Sequence, residues 1–291
     1  MKRSAFFLSL WFLLFGSTSV CYGEKKLVAV RTATPPHLDG SGDDSAWQHA
    51  PVLKTFDRVA GLQLEIRSVY TDSDIYFLVS FPDTDESRSH KSWVWDKGRQ
   101  IYTVGNDRED TFIFKWHMGA APVDLSLNSD TPYTADIWFW KACRTNNIGY
   151  ADDKIHEYSE VENLDAARVF TKSGKTMYLL RVGDEGSSAY KIDLVSEYRE
   201  ETMPRYILTE PSGSRGDVRA MGRWQNGQWT IELSRKLATS HGDDVQFVPG
   251  RNYLFGVSRF EIAGREPNEK LSEPLYGAGD VNEPLWLEFR P

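Results

Sequence analysis

Residues 64–70 read LEIRSVY and residues 75–81 read IYFLVSF, and between them stands Asp72-Ser73-Asp74. The first run alternates apolar and polar residues. The second is β-branched and aromatic almost throughout, and the two acids around a serine make a polar turn. Together they predict a β-hairpin. Outward from it the same signature recurs at 111–116 (TFIFKW), 134–141 (TADIWFWK), 176–182 (TMYLLRV), 206–209, 217–224, 228–234, 252–260 and 285–289. Asn226-Gly227 between two of these runs is a hairpin turn signal. Helical periodicity is weak, with short helical pieces expected only near 45–50 and 194–200. Many short strands joined by turns predict an all-β protein, an antiparallel β-sandwich of immunoglobulin-like kind. Two long loops, 82–107 and 146–170, complete this expectation.

The N-terminus has its own pattern. Lys2 and Arg3 precede an apolar run at 5–15 (AFFLSLWFLLF), then GSTSV and Cys21-Tyr22-Gly23. This reads as a cleaved signal peptide over 1–23, which predicts a protein that is periplasmic or otherwise exported. An uncleaved anchor and a lipid-bearing Cys21 are the alternatives. Residues 24–291 are then expected to form one domain. The chain carries a net charge of −8, and removing the two basic residues of the leader makes it −10. An acidic chain with no basic block excludes nucleic acid as a primary partner. Of the two cysteines, Cys21 and Cys143, only the second belongs to the expected domain, so no internal disulfide is available to it.

Ten tryptophans include two pairs at i, i+2, Trp93/Trp95 and Trp138/Trp140. On a strand each pair points to one face. Such a pair either floors a flat ligand site or belongs to the core. Asp152-Asp153 and Asp243-Asp244 are paired acids, suited either to turns and caps or to calcium. His90, His156 and His241 stand isolated, without the clustered donors of a structural zinc site. Asp83 and Asp85 raise glycoside hydrolysis, which needs two facing carboxylates around a sugar cleft. No P-loop, His-Glu-x-x-His motif or triad order occurs. The expectation is a binding protein rather than an enzyme in its own right.

Several blocks carry a family resemblance. Residues 38–47 (LDGSGDDSAW) resemble the opening of extracellular sandwiches that include family 9 carbohydrate-binding modules and related haem-binding, DOMON-like domains. Residues 75–84 (IYFLVSFPDT), Glu109-Asp110 before TFIFKW, 135–153 (ADIWFWKACRTNNIGYADD) and 228–250 (QWTIELSRKLATSHGDDVQFVPG) resemble the ethylbenzene dehydrogenase gamma-subunit-like haem-binding family. That family also takes in cytochrome c-552 and DMSO reductase-like haem-binding domains. The resemblance implies an extracytoplasmic sandwich that binds haem b without covalent attachment. It also implies electron exchange with a redox partner, a molybdenum enzyme or a cytochrome. Some relatives carry a Cys-x-x-Cys-His haem site, and this chain has none.

The axial ligands such a haem needs are often Met with Lys or His. Here the resemblance points to His117-Met118 after the TFIFKW strand, of which only one should enter a given pocket. For the second ligand it points to Lys270, before Leu271-Ser272, provided burial frees its lone pair. Lys141 is the alternative ligand, or else a structural ion pair with Asp136 or Asp152. Trp138 and Trp140 are candidates for the cofactor wall. The stretch between Trp116 and Asp136 is short, so a sandwich that has lost haem, or a carbohydrate-binding module without haem, stays open beside this reading.

Overall fold

The computed structural model describes residues 25–57, 61–127, 129–171, 173–260, 278–280 and 284–291. The expected signal peptide and Lys270 lie outside these residues. The strands are β1 (Lys25–Arg31), β2 (Leu53–Asp57), β3 (Leu62–Tyr70), β4 (Asp74–Pro82), β5 (Trp93–Asp96), β6 (Ile101–Val104) and β7 (Thr111–His117). They continue with β8 (Tyr133–Lys141), β9 (Asp152–Ser159), β10 (Ala167–Phe170), β11 (Thr176–Gly183), β12 (Tyr190–Ile192), β13 (Thr202–Met203) and β14 (Tyr206–Leu208). The last are β15 (Arg219–Gln225), β16 (Gln228–Lys236), β17 (Tyr253–Phe260), β18 (Ala278–Asp280) and β19 (Leu285–Arg290).

The main sheet runs β10-β11-β9-β8-β7-β17-β19-β1-β3-β4-β16-β15, with β2 on β3 and β18 on β17. It folds over so that its two halves pack face to face. Phe77 of β4 meets Phe114 of β7 with ring centroids 4.9 Å apart, and Trp140 of β8 meets Trp229 of β16 at 4.9 Å. This is the expected β-sandwich, with one amendment. β1 runs parallel to both of its neighbours, β19 and β3. The hairpin that begins the sequence reading is β3–β4, paired from Glu65↔Ser80 to Tyr70↔Ile75. Asn226 and Gly227 both take positive φ, 53° and 76°, as a two-residue hairpin turn with the native twist requires.

β7 and β8 are buried on both faces. Their even-numbered side chains (Phe112, Phe114, Trp116, Trp138, Trp140) enter the main core. The odd ones (Ile113, Ala135, Ile137) enter a second cluster, closed by Val123, Leu125 and Leu127. The Tyr133 and Tyr158 hydroxyls donate to the carbonyls of Leu125 and Leu127 at 3.0 and 2.9 Å and pin that roof. Burial on both faces explains why these runs read as nearly continuous apolar sequence.

The acidic opening motif has a different task. Glu232, on the outer face of β16, accepts hydrogen bonds from the Gly40 amide at 2.7 Å and from Trp47 Nε1 at 3.0 Å. Trp47 is thereby laid over the outer face of β3 and β4, against Val69 and Leu78. A Cβ on Gly40 would stand 2.8 Å from the Arg223 amide nitrogen, so the turn requires glycine. The expected helix near 45–50 is a single 3₁₀ turn, Ser45–Trp47, and 194–200 forms no helix. The two expected long loops hold β5 and β6 in one case and β9 and β10 in the other.

Candidate functional site

The C-terminal end of β7 lies beside the start of β17, with Trp116 paired to Phe255. Beyond that pair the chain turns, fixed by the Met118 amide donating to the Thr134 carbonyl at 3.0 Å. His117 and Met118 here line a cleft of about 370 Å³, whose other walls include Asp244, Gln246, Tyr253 and Trp286. That size lies within the range of small-molecule pockets. Met118 is partly buried against the main core. Burial pushes the His117 imidazole below its ordinary pKa, which keeps it neutral and leaves one ring nitrogen a lone pair.

Behind the cleft, charged groups converge inside the sandwich. Arg235, on the inward face of β16, donates to Asp136 of β8 at 2.7 Å and to Asp244 at 3.0 Å, and also to the Val245 carbonyl. Its guanidinium stacks over Trp138 at 4.7 Å. Asp153 of β9, paired in register with Trp138, shares the inner face. Burial and the neighbouring Asp136 carboxylate push the Asp153 carboxyl well above its ordinary pKa. Burial and Asp243 likewise raise Asp184 to about 8. Burial raises Asp244 to about 6 against the pull of Arg235.

On the outer face of the same strands the balance is reversed. Lys141 and Asp152 are both buried and form an ion pair, with the Tyr190 hydroxyl 2.9 Å from each. Lys154 reaches Asp152 at 3.1 Å, and Arg215 reaches the same carboxylate at 3.3 Å. Burial alone would raise the Asp152 carboxyl. The surrounding cations, Lys141 first, outweigh it and hold Asp152 far below the usual range. Burial brings Lys141 down to about 8, so both partners are charged at neutral pH.

Of the residues singled out from sequence, His117 and Met118 share the cleft. Lys141 does not join them. It pairs with Thr111 in the β7–β8 ladder, whereas His117 pairs with Ala135. Six residues of strand separate the two positions, about 20 Å. Two axial donors must bracket one iron atom, so Met118 and Lys141 do not fit as a pair. Lys141 is the structural ion pair with Asp152 that stood as its alternative. Trp138 and Trp140 are 0 % exposed and belong to the core, so they offer no face to haem or sugar. Trp140 is further fixed by its Nε1 donating to Asn146 Oδ1 at 2.8 Å. Trp93 and Trp95 are half-buried. The described lining of the cleft holds no second Met, His or Lys opposite Met118. The described lining of this cleft therefore offers donors from one side only, the His117-Met118 corner.

The sequence reading missed Arg235 and the meeting of Asp136, Asp153 and Asp244 around it. Each of the four stands inside a family-like block, 135–153 or 228–250, and that shared membership was the available signal.

The family model described as ethylbenzene dehydrogenase matches residues 45–268. That is more than half of the chain, and the chain belongs to this family. No curated protein is significantly similar to it in sequence. Among solved structures it is similar to a family 9 carbohydrate-binding module from Caldicellulosiruptor kristjanssonii in complex with cellotriose. There the identity is 8% and the TM-score 0.40, over 92% of this chain and 95% of that one. A Bacteroides uniformis protein described as carbohydrate-binding gives 10% and 0.40, over 91% and 99%. Likenesses of this size carry no argument about a ligand. Among the described residues no helix is long and apolar enough to cross a membrane.

Proposed function

We propose that this member of the ethylbenzene dehydrogenase family is a non-catalytic, haem-b-binding subunit of an exported oxidoreductase. It would exchange electrons with a redox partner, a molybdenum enzyme or a cytochrome. The observation that carries the reading is the His117-Met118 corner. It follows the β-strand that the family resemblance marks, and it presents a thioether and a neutral imidazole to one cleft. Haem supplies the one-electron chemistry when bound, and the protein supplies binding and orientation. Met118 is the proposed ligand from this corner because thioether sulfur is a haem donor with few other uses in a polar turn. His117 is the competing donor.

Lys270 remains the proposed second ligand. β17 begins beside the cleft and ends at Phe260, at the far end of β7. Ten residues from Phe260 to Lys270 span at most about 35 Å, and the eight-residue strand is about 26 Å long. Chain length therefore permits the return. The test is the visible spectrum of the full chain produced with haem supply and exported. A Soret band at one haem per chain supports the reading. Its absence, together with failure to bind added haemin one-to-one, refutes it. Given haem binding, Met118→Ala is expected to change the spectrum of the reduced protein. An unchanged spectrum would remove Met118 from the role and leave His117.

A further inference from the structure

Three elements aim carboxylates at one buried point. Asp136 from β8, Asp153 from β9 and Asp244 from the segment after β16 bring one oxygen each to within 4.8 Å of one another. The three use their oxygens unequally. Asp136 Oδ2 accepts from Arg235 Nη1 at 2.7 Å and from the Val245 amide at 2.9 Å, and its Oδ1 accepts no hydrogen bond. Asp244 Oδ1 accepts from Arg235 at 3.0 Å, and its Oδ2 accepts none. Asp153 is 0 % exposed and accepts no hydrogen bond on either oxygen, with Arg235 Nη1 at 4.0 Å.

A buried carboxylate without a donor is costly, and native interiors rarely leave one. When all three are ionised, three carboxylates against one guanidinium leave an excess of two negative charges, which a divalent cation neutralises in place of the proton that burial otherwise keeps on Asp153. Arg235 directs its hydrogen bonds to Asp136, Asp244 and the Val245 carbonyl and comes only to 4.0 Å from Asp153, too far to donate to it.

We infer that the chamber is a calcium site, with Asp136, Asp244 and Asp153 each giving one carboxylate oxygen to one ion. Two oxygens on opposite sides of calcium, each about 2.4 Å from it, stand about 4.8 Å apart, so the oxygen spacing fits. An all-oxygen donor set selects a hard cation over zinc or copper. Three protein carboxylates exceed the one or two that magnesium usually takes. Asp244 also lines the cleft, which gives the ion a route inward and water ligands a place. A second trio, Asp217, His241 and Asp244, lies nearer the surface. There His241 Nδ1 is paired with Asp217 at 2.6 Å, and an imidazole nitrogen is a poorer calcium donor than a carboxylate oxygen. The site is independent of the haem reading.

The test uses the full chain stripped with EDTA, then titrated with CaCl₂ or MgCl₂ at matched ionic strength. It is followed by calorimetry and thermal melting. The expected result is one calcium per chain and a rise in Tm of about 5 °C or more at saturation, larger than with magnesium. Asp153→Asn should weaken calcium binding at least tenfold and remove the Tm rise. Its Tm in EDTA should equal or exceed that of the parent, which shows that the variant folds. His241→Ala should retain binding. Absence of stoichiometric calcium binding by the parent overturns the inference. So does unchanged binding by Asp153→Asn, or loss of binding in His241→Ala alone. An equal response to magnesium overturns the calcium assignment.

Discussion

Asp152 and Asp153 are neighbours on β9, and their surroundings are opposite. Asp152 turns to the outer face, where Lys141, Lys154, Arg215 and the Tyr190 hydroxyl all reach it. Asp153 turns inward, where it accepts no hydrogen bond and meets the carboxylates of Asp136 and Asp244. The cause is the two-residue period of a strand, which sends adjacent side chains to opposite faces. The outer face of β7, β8 and β9 also carries Lys115 beside Lys141 and Lys154, so it is rich in cationic groups, while the inner face is rich in acids. The pair of acids that looks like one motif in sequence is therefore two sites. One is a finished ion-pair network, and the other is an incomplete one.

The largest expected effect is on the finished network. Asp152→Asn leaves Lys141 buried without its carboxylate and is expected to cost about 3–5 kcal/mol, read from urea unfolding. Replacing Lys141 and Asp152 together by apolar residues of similar volume should cost clearly less than the two single changes added. Additive costs would contradict the assignment of Lys141 as a structural partner.

The next effect is a pH dependence on the same outer face. Burial, then Lys115 and Lys154, holds the His156 imidazole well below its ordinary pKa of 6.5. The folded state therefore binds fewer protons than the unfolded chain below pH 6.5. Stability present above that pH is lost as pH falls, by up to about 1.4 kcal/mol per pH unit for this residue. His90, drawn down to about 2 by burial and then by Arg144, adds a slope of the same sign. Asp153, Asp184 and Asp244, raised in the folded state, add slopes of the opposite sign, so the His156 share is read as a difference: between pH 7 and 5, His156→Gln should lose less stability, or gain more, than the parent. A slope unchanged in that variant would show that His156 does not carry it.

The smallest expected effect, and one of opposite sign, is at Asp153. In calcium-free buffer Asp153→Asn replaces a buried carboxyl that no donor reaches and whose charged form burial disfavours, so stability should hold or rise by about 1 kcal/mol. A loss comparable to that of Asp152→Asn would erase the contrast between the two faces.

Much of the fold was legible because its central strands are apolar. β3, β4, β7, β8, β16 and β17 follow the runs read from sequence to within a residue or two. β9 was read as loop because DDKIHEYS carries charge on both faces, and its buried charges are balanced by partners far away in sequence. β1 gave no local sign of its parallel pairing, since pairing across the sheet leaves no mark on a single strand. The cleft was half legible. His117 and Met118 could be found after an apolar strand, but the ~20 Å between Met118 and Lys141 follows from ladder register. The inner chamber needed topology as well. Asp136 and Asp153 meet because β8 and β9 are adjacent, and Arg235 joins them because β16 crosses the sandwich above.

The most direct test of the two-faced account is a crystal structure of the full chain grown with calcium, with anomalous differences recorded. The account predicts a single peak bounded by Asp136, Asp153 and Asp244, and none at Asp152, which stays within hydrogen-bond reach of Lys141 and Tyr190. A chamber without a peak, or an ion on Asp152 with Lys141 displaced, would contradict it.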